Sequence, residues 1–242
     1  MINQPHKLGL SKHKALLENI VTLLKRRASR GGGAIYVQSN ITTLSVNGSS
    51  TLSGNHANGD GGGAIYVYGY VNNLIVDGNS TLSGNRAKSG GAIFVYEFVT
   101  TFTVDGNSTV SDNSARGGSG GAIFVYETIA TFTVDGSSTL ADNHADGGSG
   151  GGAIYAESNV TTLTVDGSST LSGNSAKSGG GAIYVYGYVD NLTVDGNSTL
   201  SGNSAKRGGA IFVYNSVANL TIDGNSTVSD NHANGGNGGQ FP

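Results

Sequence analysis

Residues 64–85 read AIYVYGYVNNLIVDGNSTLSGN, and the spacing of their apolar side chains decides the fold. Ile65 and Val67 alternate with Ala64, Tyr66 and Tyr68; Val71, Leu74 and Val76 form a second run, and Thr81-Leu82 a third. The period is two rather than 3.6, and Val, Ile, Thr, Tyr and Phe dominate, as half-buried strands require. Asp77-Gly78 supplies the positive φ of a tight turn. The stretch predicts three short strands separated by turns.

Outward from this stretch the chain repeats itself. GGAIYV, GGAIFV or GGAIYA occurs seven times, with its Ala at 34, 64, 92, 122, 153, 182 and 210, at intervals of 30, 28, 30, 31, 29 and 28 residues. Twelve residues after each Ala stands Val or Ile, from Val46 to Ile222, followed by Asp-Gly in six copies and Asn47-Gly48 in the first. Twenty-one residues after it stands an Asn in every copy: Asn55, Asn85, Asn113, Asn143, Asn174, Asn203 and Asn231. All length variation falls between the next Ala (Ala57 to Ala233) and the following GGA, in a Gly/Ser/Asn-rich loop where insertions leave a stack undisturbed.

A period of this size implies stacked units. Propeller blades need about 40–50 residues and four strands, and isolated hairpins bury little. One coil of a solenoid pairs each strand with its equivalents above and below, so identical residues recur at identical offsets. The expected fold is all-β: a right-handed parallel β-helix of seven three-strand coils over residues 31–234, about 34 Å tall at roughly 4.8 Å per rung. Its core is expected at Ile65, Val67, Val71, Leu74, Val76, Leu82 and their equivalents. The Asn column either forms an amide ladder along the stack or tolerates a left-handed bend.

Composition narrows the function. Of 242 residues 41 are Gly, yet Pro numbers 2 and Gly follows no three-residue period, which excludes collagen. Cys is absent, which excludes disulfides and thiolate chemistry. A net charge of −3 offers no global attraction for nucleic acid or anionic lipid. Apolar residues at 36 % suffice for a core.

The segments LSGNHANGDGGGAIYV, LSGNRAKSGGAIFV and VSDNSARGGSGGAIFV resemble the repeats of chlamydial-type polymorphic outer membrane proteins, which pair a GGA-aliphatic element with an aromatic-x-x-Asn element. The first element matches in all seven copies. In the second, Leu or Val (Leu52, Leu82, Val110, Leu140, Leu171, Leu200, Val228) replaces the aromatic residue. The resemblance implies a β-helix passenger exposed at the cell surface or extracellularly, often adhesive, and exported by a C-terminal membrane barrel.

The ends differ in composition. In residues 1–30, Leu16, Leu17, Ile20, Val21, Leu23 and Leu24 fall at helical spacing after a candidate N-cap, Ser11. The segment is expected to be an amphipathic helix capping the first coil; it is too short and polar to span a bilayer, and no signal-peptide cleavage site follows it. Residues 235–242 read as a Gly-rich tail or the start of another coil, and an open last coil invites end-to-end self-association.

Catalysis should break the repeat, and little does. Asp77, Asp105, Asp135, Asp166, Asp195 and Asp223 keep it, as turn formers rather than a calcium column. Glu97, Glu127, Glu157 and Asp190 are the chief acids off the pattern; Glu97 and Glu127 share an offset on neighbouring coils, but two exposed glutamates are the expected reading. His56, His144 and His232 stand about three rungs apart, too far to share a metal. No catalytic residue, cofactor or metal site is expected, nor a nucleic-acid partner.

Two outward files carry more information. If Ile65 and Val67 face in, Tyr66 and Tyr68 face out, and with them Tyr36, Phe94, Phe124, Tyr155, Tyr184 and Phe212 in one file and Tyr96, Tyr126, Tyr186 and Tyr214 in the next. These rings are the candidate face for a protein or glycan partner, chiefly Tyr66, Tyr68, Phe94, Tyr96, Phe124, Tyr126, Tyr184, Tyr186, Phe212 and Tyr214; mutual stacking is the competing reading. On the second strand Thr101, Thr103, Thr131, Thr133, Thr162 and Thr164, with Thr193 and Thr221 beyond, make a Thr-x-Thr file that resembles the faces of ice-binding β-solenoids. The leading expectation is a non-catalytic, adhesin-like or structural repeat scaffold; ice binding and polysaccharide cleavage are the rivals.

Overall fold

The structure is a computed structural model, and it describes residues 15–17, 22–24 and 27–235, with side chains from Ala28 onward. Among the described residues every element is a β-strand and every pairing is parallel. Each of seven coils runs through four strands, as in the second: Ile65–Val67, Val71–Val76, Thr81–Ser83 and Arg86–Ala87. Stacked on their equivalents, these build four sheets, termed the Ile-x-Val, long, Thr-Leu-Ser and short sheets. They contain seven, eight, eight and eight strands. The three predicted strands are present; the two-residue short strand that follows each ladder Asn is a fourth element not expected from the sequence.

Register is like on like. Ile93 pairs with Ile65 and Ile123, Leu82 with Leu52 and Val110, and Phe102 with Leu74 and Phe132. The six expected core residues of the second coil are all fully buried. They belong to one continuous apolar column that runs the length of the stack. At ~1.5–3 kcal/mol per fully buried side chain, this column is the principal stabilising term.

Two polar ladders line it. Asn85 Nδ2 donates to Asn113 Oδ1 (3.0 Å) and to the Leu52 carbonyl (2.9 Å), while Asn85 N donates to the same Asn113 oxygen (3.0 Å). The pattern repeats to Asn231. Of the two readings of this column, the amide ladder is the one found. The left-handed residue is its predecessor: Gly84 has φ +61°, and Asp112 and Asp142 have φ 57° and 55°. A second ladder, of buried serines, was not read from the sequence: Ser50 N donates to Ser80 Oγ and Ser80 N to Ser108 Oγ, each at 3.2 Å.

The N-terminal expectation is corrected where it is described. Ala15–Leu17, Thr22–Leu24 and Arg27–Ala28 are strands that pair in parallel with the first full coil, Ala15 on Leu44, Thr22 on Thr51 and Arg27 on His56. All three offsets are 29 residues, the repeat's own spacing. Leu17, Leu23 and Ala28 lie at the same intervals as Val46, Leu52 and Ala57, so a partial coil outcompetes a helix by extending three ladders. The rest of residues 1–26, Ser11 among them, and the tail beyond Gly235 lie outside the described residues. At the other end, Leu220 and Ile222 of the last described coil are 45 % and 43 % exposed, whereas their equivalents Leu192 and Val194 are buried.

Candidate functional site

Strand alternation does turn both aromatic files away from the core, but only one reaches solvent. Tyr66, Phe94, Phe124, Tyr155 and Tyr184 are buried in a cluster of their own, with Tyr36 and Phe212 partly buried against it. Their cover is the variable loop. A Cβ on Gly31 or Gly61 would collide with the ring of Tyr66 or Phe94, so the loop backbone lies directly on the rings. Burial pushes the Tyr66 hydroxyl from 10.0 up to about 12, aided by the neighbouring Tyr36 and Asp60. Burial raises Tyr155 and Tyr184 as well, opposed by a hydrogen bond from Ser149 and by the Arg207 charge respectively. Of the ten candidate partner-face residues, Tyr66, Phe94, Phe124 and Tyr184 are therefore withdrawn and Phe212 is partly covered. Glycine-rich loops fold back where no bulk prevents them.

The second file is the exposed one. Tyr68, Tyr96, Tyr126, Tyr186 and Tyr214 are 37–49 % exposed. Tyr68, Tyr96 and Tyr126 stack with centroids 5.0 and 5.1 Å apart and nearly parallel planes, and Tyr186 stacks on Tyr214 at 4.9 Å. Glu157 interrupts the file, and burial raises its carboxyl above the ordinary range. Two residues further along, at the corner before the long sheet, Tyr70 and Phe98 stack at 4.9 Å and Tyr188 is exposed. This third file escaped the sequence reading because only three of seven copies carry a ring there; the signal was the aromatic-x-aromatic triplet of those copies. Glu97 and Glu127 stand at this corner between the aromatic files, the first half-buried and the second exposed.

The Thr lattice is present on three rungs. Thr101 pairs with Thr131 and Thr131 with Thr162; Thr103, Thr133 and Thr164 align beside them, all half-exposed. Asn73 and Ile75 replace the pair below, and Asn191 and Asn219 stand beside Thr193 and Thr221 above. Each Asp of the Asp-Gly column turns its Oδ1 onto the N–H of its own following Gly, at 2.5–2.8 Å. Asp77 Oδ1 also fills the space where a Cβ on Gly106 of the next coil would stand. Among the described residues no three His, Cys, Asp or Glu side chains converge on a metal-sized site. His144 contacts Ser175 Oγ through Nδ1 and Asp146 through Nε2, each at 2.5 Å, in an exposed position on the short sheet.

Comparison with known families returns one match. Residues 49–68, 73–96, 103–126, 168–186 and 191–214 match the model of the Chlamydia polymorphic membrane protein repeat. Each segment ends on a tyrosine of the exposed file, so the matched unit carries from the preceding coil into the ring that faces solvent. No curated protein and no solved structure matches the chain. Among the described residues no helix is long and apolar enough to cross a membrane.

Proposed function

This chain carries the Chlamydia polymorphic membrane protein repeat five times, each copy running from one coil into the next, and from that premise we propose that it is a non-catalytic, surface-exposed scaffold that contacts a protein or glycan through its tyrosine file. One observation carries the proposal: Tyr68, Tyr96, Tyr126, Tyr186 and Tyr214 are held at 37–49 % exposure at one offset, as a stack of three and a stack of two on either side of Glu157. Their side chains contribute nothing to the central core, and stacking preorganises them, so little side-chain entropy is lost on binding. Tyrosine, with an apolar ring and a polar tip, is a favoured anchor at interfaces.

The test is the triple variant Tyr68→Ser, Tyr96→Ser, Tyr126→Ser, screened on arrays of host-surface proteins and glycans beside the parent chain. Binding by the parent that is abolished in the variant, with the β circular-dichroism signal retained, supports the proposal. Equal binding by both reduces the tyrosine row to a structural device.

The three in-register Thr-x-Thr rungs favour a second reading, ice binding. A nanolitre freezing assay decides it: absence of both thermal hysteresis and recrystallisation inhibition removes it.

A further inference from the structure

Charge is sorted round the solenoid. Residues 28–235 contain seven cations, Arg30, Arg86, Lys88, Arg116, Lys177, Lys206 and Arg207, and all seven lie on the short sheet or in the loop that follows it. The same stretch of each coil contributes only two carboxylates, Asp60 and Asp146. Asp112, Asp142 and Asp230 border it at the preceding turn, and the other ten acids of residues 28–235 stand on the remaining sides. A molecule with net charge −3 thus carries one cationic edge.

The edge is a ladder. Arg116 N donates to the Ala87 carbonyl, Asp146 N to Ala115, Lys177 N to Ala145 and Asn234 N to Ala205, which places Lys88, Arg116, Asp146, Lys177, Lys206 and Asn234 at one offset on successive coils. Neighbouring rungs are about 4.8 Å apart. Six of the seven cations are exposed, and none forms an ion pair with a described carboxylate. Asp146 interrupts the row, and it is paired with His144. Two shallow grooves open on this edge. One, of about 250 Å³, is lined by His56, Asn58, Lys88 and Arg116; the other, of about 470 Å³, by Asp146, Lys177, Ser178 and Lys206.

We infer that this edge binds a linear sulfated polysaccharide lying along the solenoid axis. Arg86, Lys88 and Arg116 crowd three charges into two rungs, as do Lys177, Lys206 and Arg207, which calls for a polymer bearing more than one anion per pair of sugars. Between the cations stand Ser114, Ser175, Ser204 and loop glycines, whose hydroxyls and backbone amides suit sugar hydroxyls. Single-stranded nucleic acid needs open aromatic faces for its bases. The exposed tyrosines offer no such open faces: Tyr68, Tyr96 and Tyr126 are already stacked at about 5 Å on one another, Tyr186 stacks on Tyr214, and Arg207 lies 5.9 Å from the Tyr214 ring. A membrane surface needs apolar side chains to insert, and the outward positions of the short sheet carry only His, Arg and Ser. Arg207 is where this edge meets the tyrosine row, over Tyr214, and the variants below leave both residues unchanged.

The test uses the full chain and heparin as probe, by calorimetry across a salt series. The variant Lys88→Gln, Arg116→Gln, Lys177→Gln, Lys206→Gln should bind at least tenfold more weakly. Its slope of log affinity against log salt should be shallower by about one for each sulfate-pairing cation removed. Asp146→Asn, which removes the interruption, should bind several-fold more tightly, a gain that misfolding does not mimic. Tyr68→Ser, Tyr96→Ser, Tyr126→Ser should bind heparin like the parent, which separates this edge from the tyrosine row. Undiminished binding by the quadruple variant would show that the row of cations does not hold heparin and would overturn the inference. Single-stranded DNA or anionic phosphatidylserine vesicles displacing heparin at equal charge would overturn it too.

Discussion

Asn113 ties three coils together. Its Nδ2 donates to Leu82 O in the coil before and to Asn143 Oδ1 in the coil after, and its Oδ1 accepts from both Asn85 N and Asn85 Nδ2. Asn113→Ala removes the acceptor of two Asn85 donors, its backbone N–H and its side-chain amide, in a dry interior. At ~1–3 kcal/mol per unsatisfied group, the loss should total about 2–5 kcal/mol, read from urea unfolding. Apolar positions behave by rung. Leu192→Ala, in a buried site, should cost about 2–5 kcal/mol. Leu220→Ala, at the equivalent offset but 45 % exposed, should cost below about 1 kcal/mol. Equal losses at the two sites would show that the last coil is covered in solution.

At the scale of the element, the Ile-x-Val strand presents two outward rings with opposite fates. Phe124 lies under its loop, so Phe124→Ala should cost about 3 kcal/mol or more. Tyr126→Ser forfeits only surface stacking, at ~0.5–1.5 kcal/mol per pair. Gly61→Ala drives a methyl into the Phe94 ring and into nearby backbone, and should destabilise by about 1–3 kcal/mol. Thermal melts of the three variants, ranked Phe124→Ala first and Tyr126→Ser last, check that the loop is a lid on the inner file. The inward or outward sense of each ring is legible in the alternation of Ile123, Phe124 and Val125. Its cover is not, because that depends on the path of a loop whose length varies from copy to copy.

For the molecule as a whole, the buried tyrosines fix the alkaline limit. In the unfolded chain a tyrosine ionises near 10.0, whereas folded Tyr66 holds its proton to about 12. Between those values the unfolded state binds fewer protons than the folded one, so stability falls as pH rises. Burial shifts Tyr155 and Tyr184 in the same direction and adds to the fall. Melting temperature should be flat from about neutral pH to pH 10 and decline above it, with part of the tyrosinate absorbance appearing only on unfolding. Tyrosinate absorbance in the folded state at pH 10.5 equal to that of the unfolded chain would show that the inner file is open. Because each coil touches chiefly its neighbours, the stack should also tolerate excision of one whole repeat, residues 92–121, with the β signature kept.

Taken alone, the sequence specified the winding. A period of 28–31 residues with aliphatics at constant offsets leaves one economical solution, in which each strand lies on its own equivalent. The core positions followed, since a pleated strand alternates its faces with no freedom of choice. Three things awaited the tertiary structure. The two-residue short strand is too brief to show a period, and exists because coils above and below supply its partners. The apolar residues between Leu16 and Leu24 have helical spacing in isolation, yet 15–17 and 22–24 become strands because ladders of the first coil lie open to receive them. The division of the outward rings into a covered and an open file, and the gathering of the seven cations of residues 28–235 on one edge, arise from packing between residues one coil apart. Chain distance hides that adjacency, and stacking creates it.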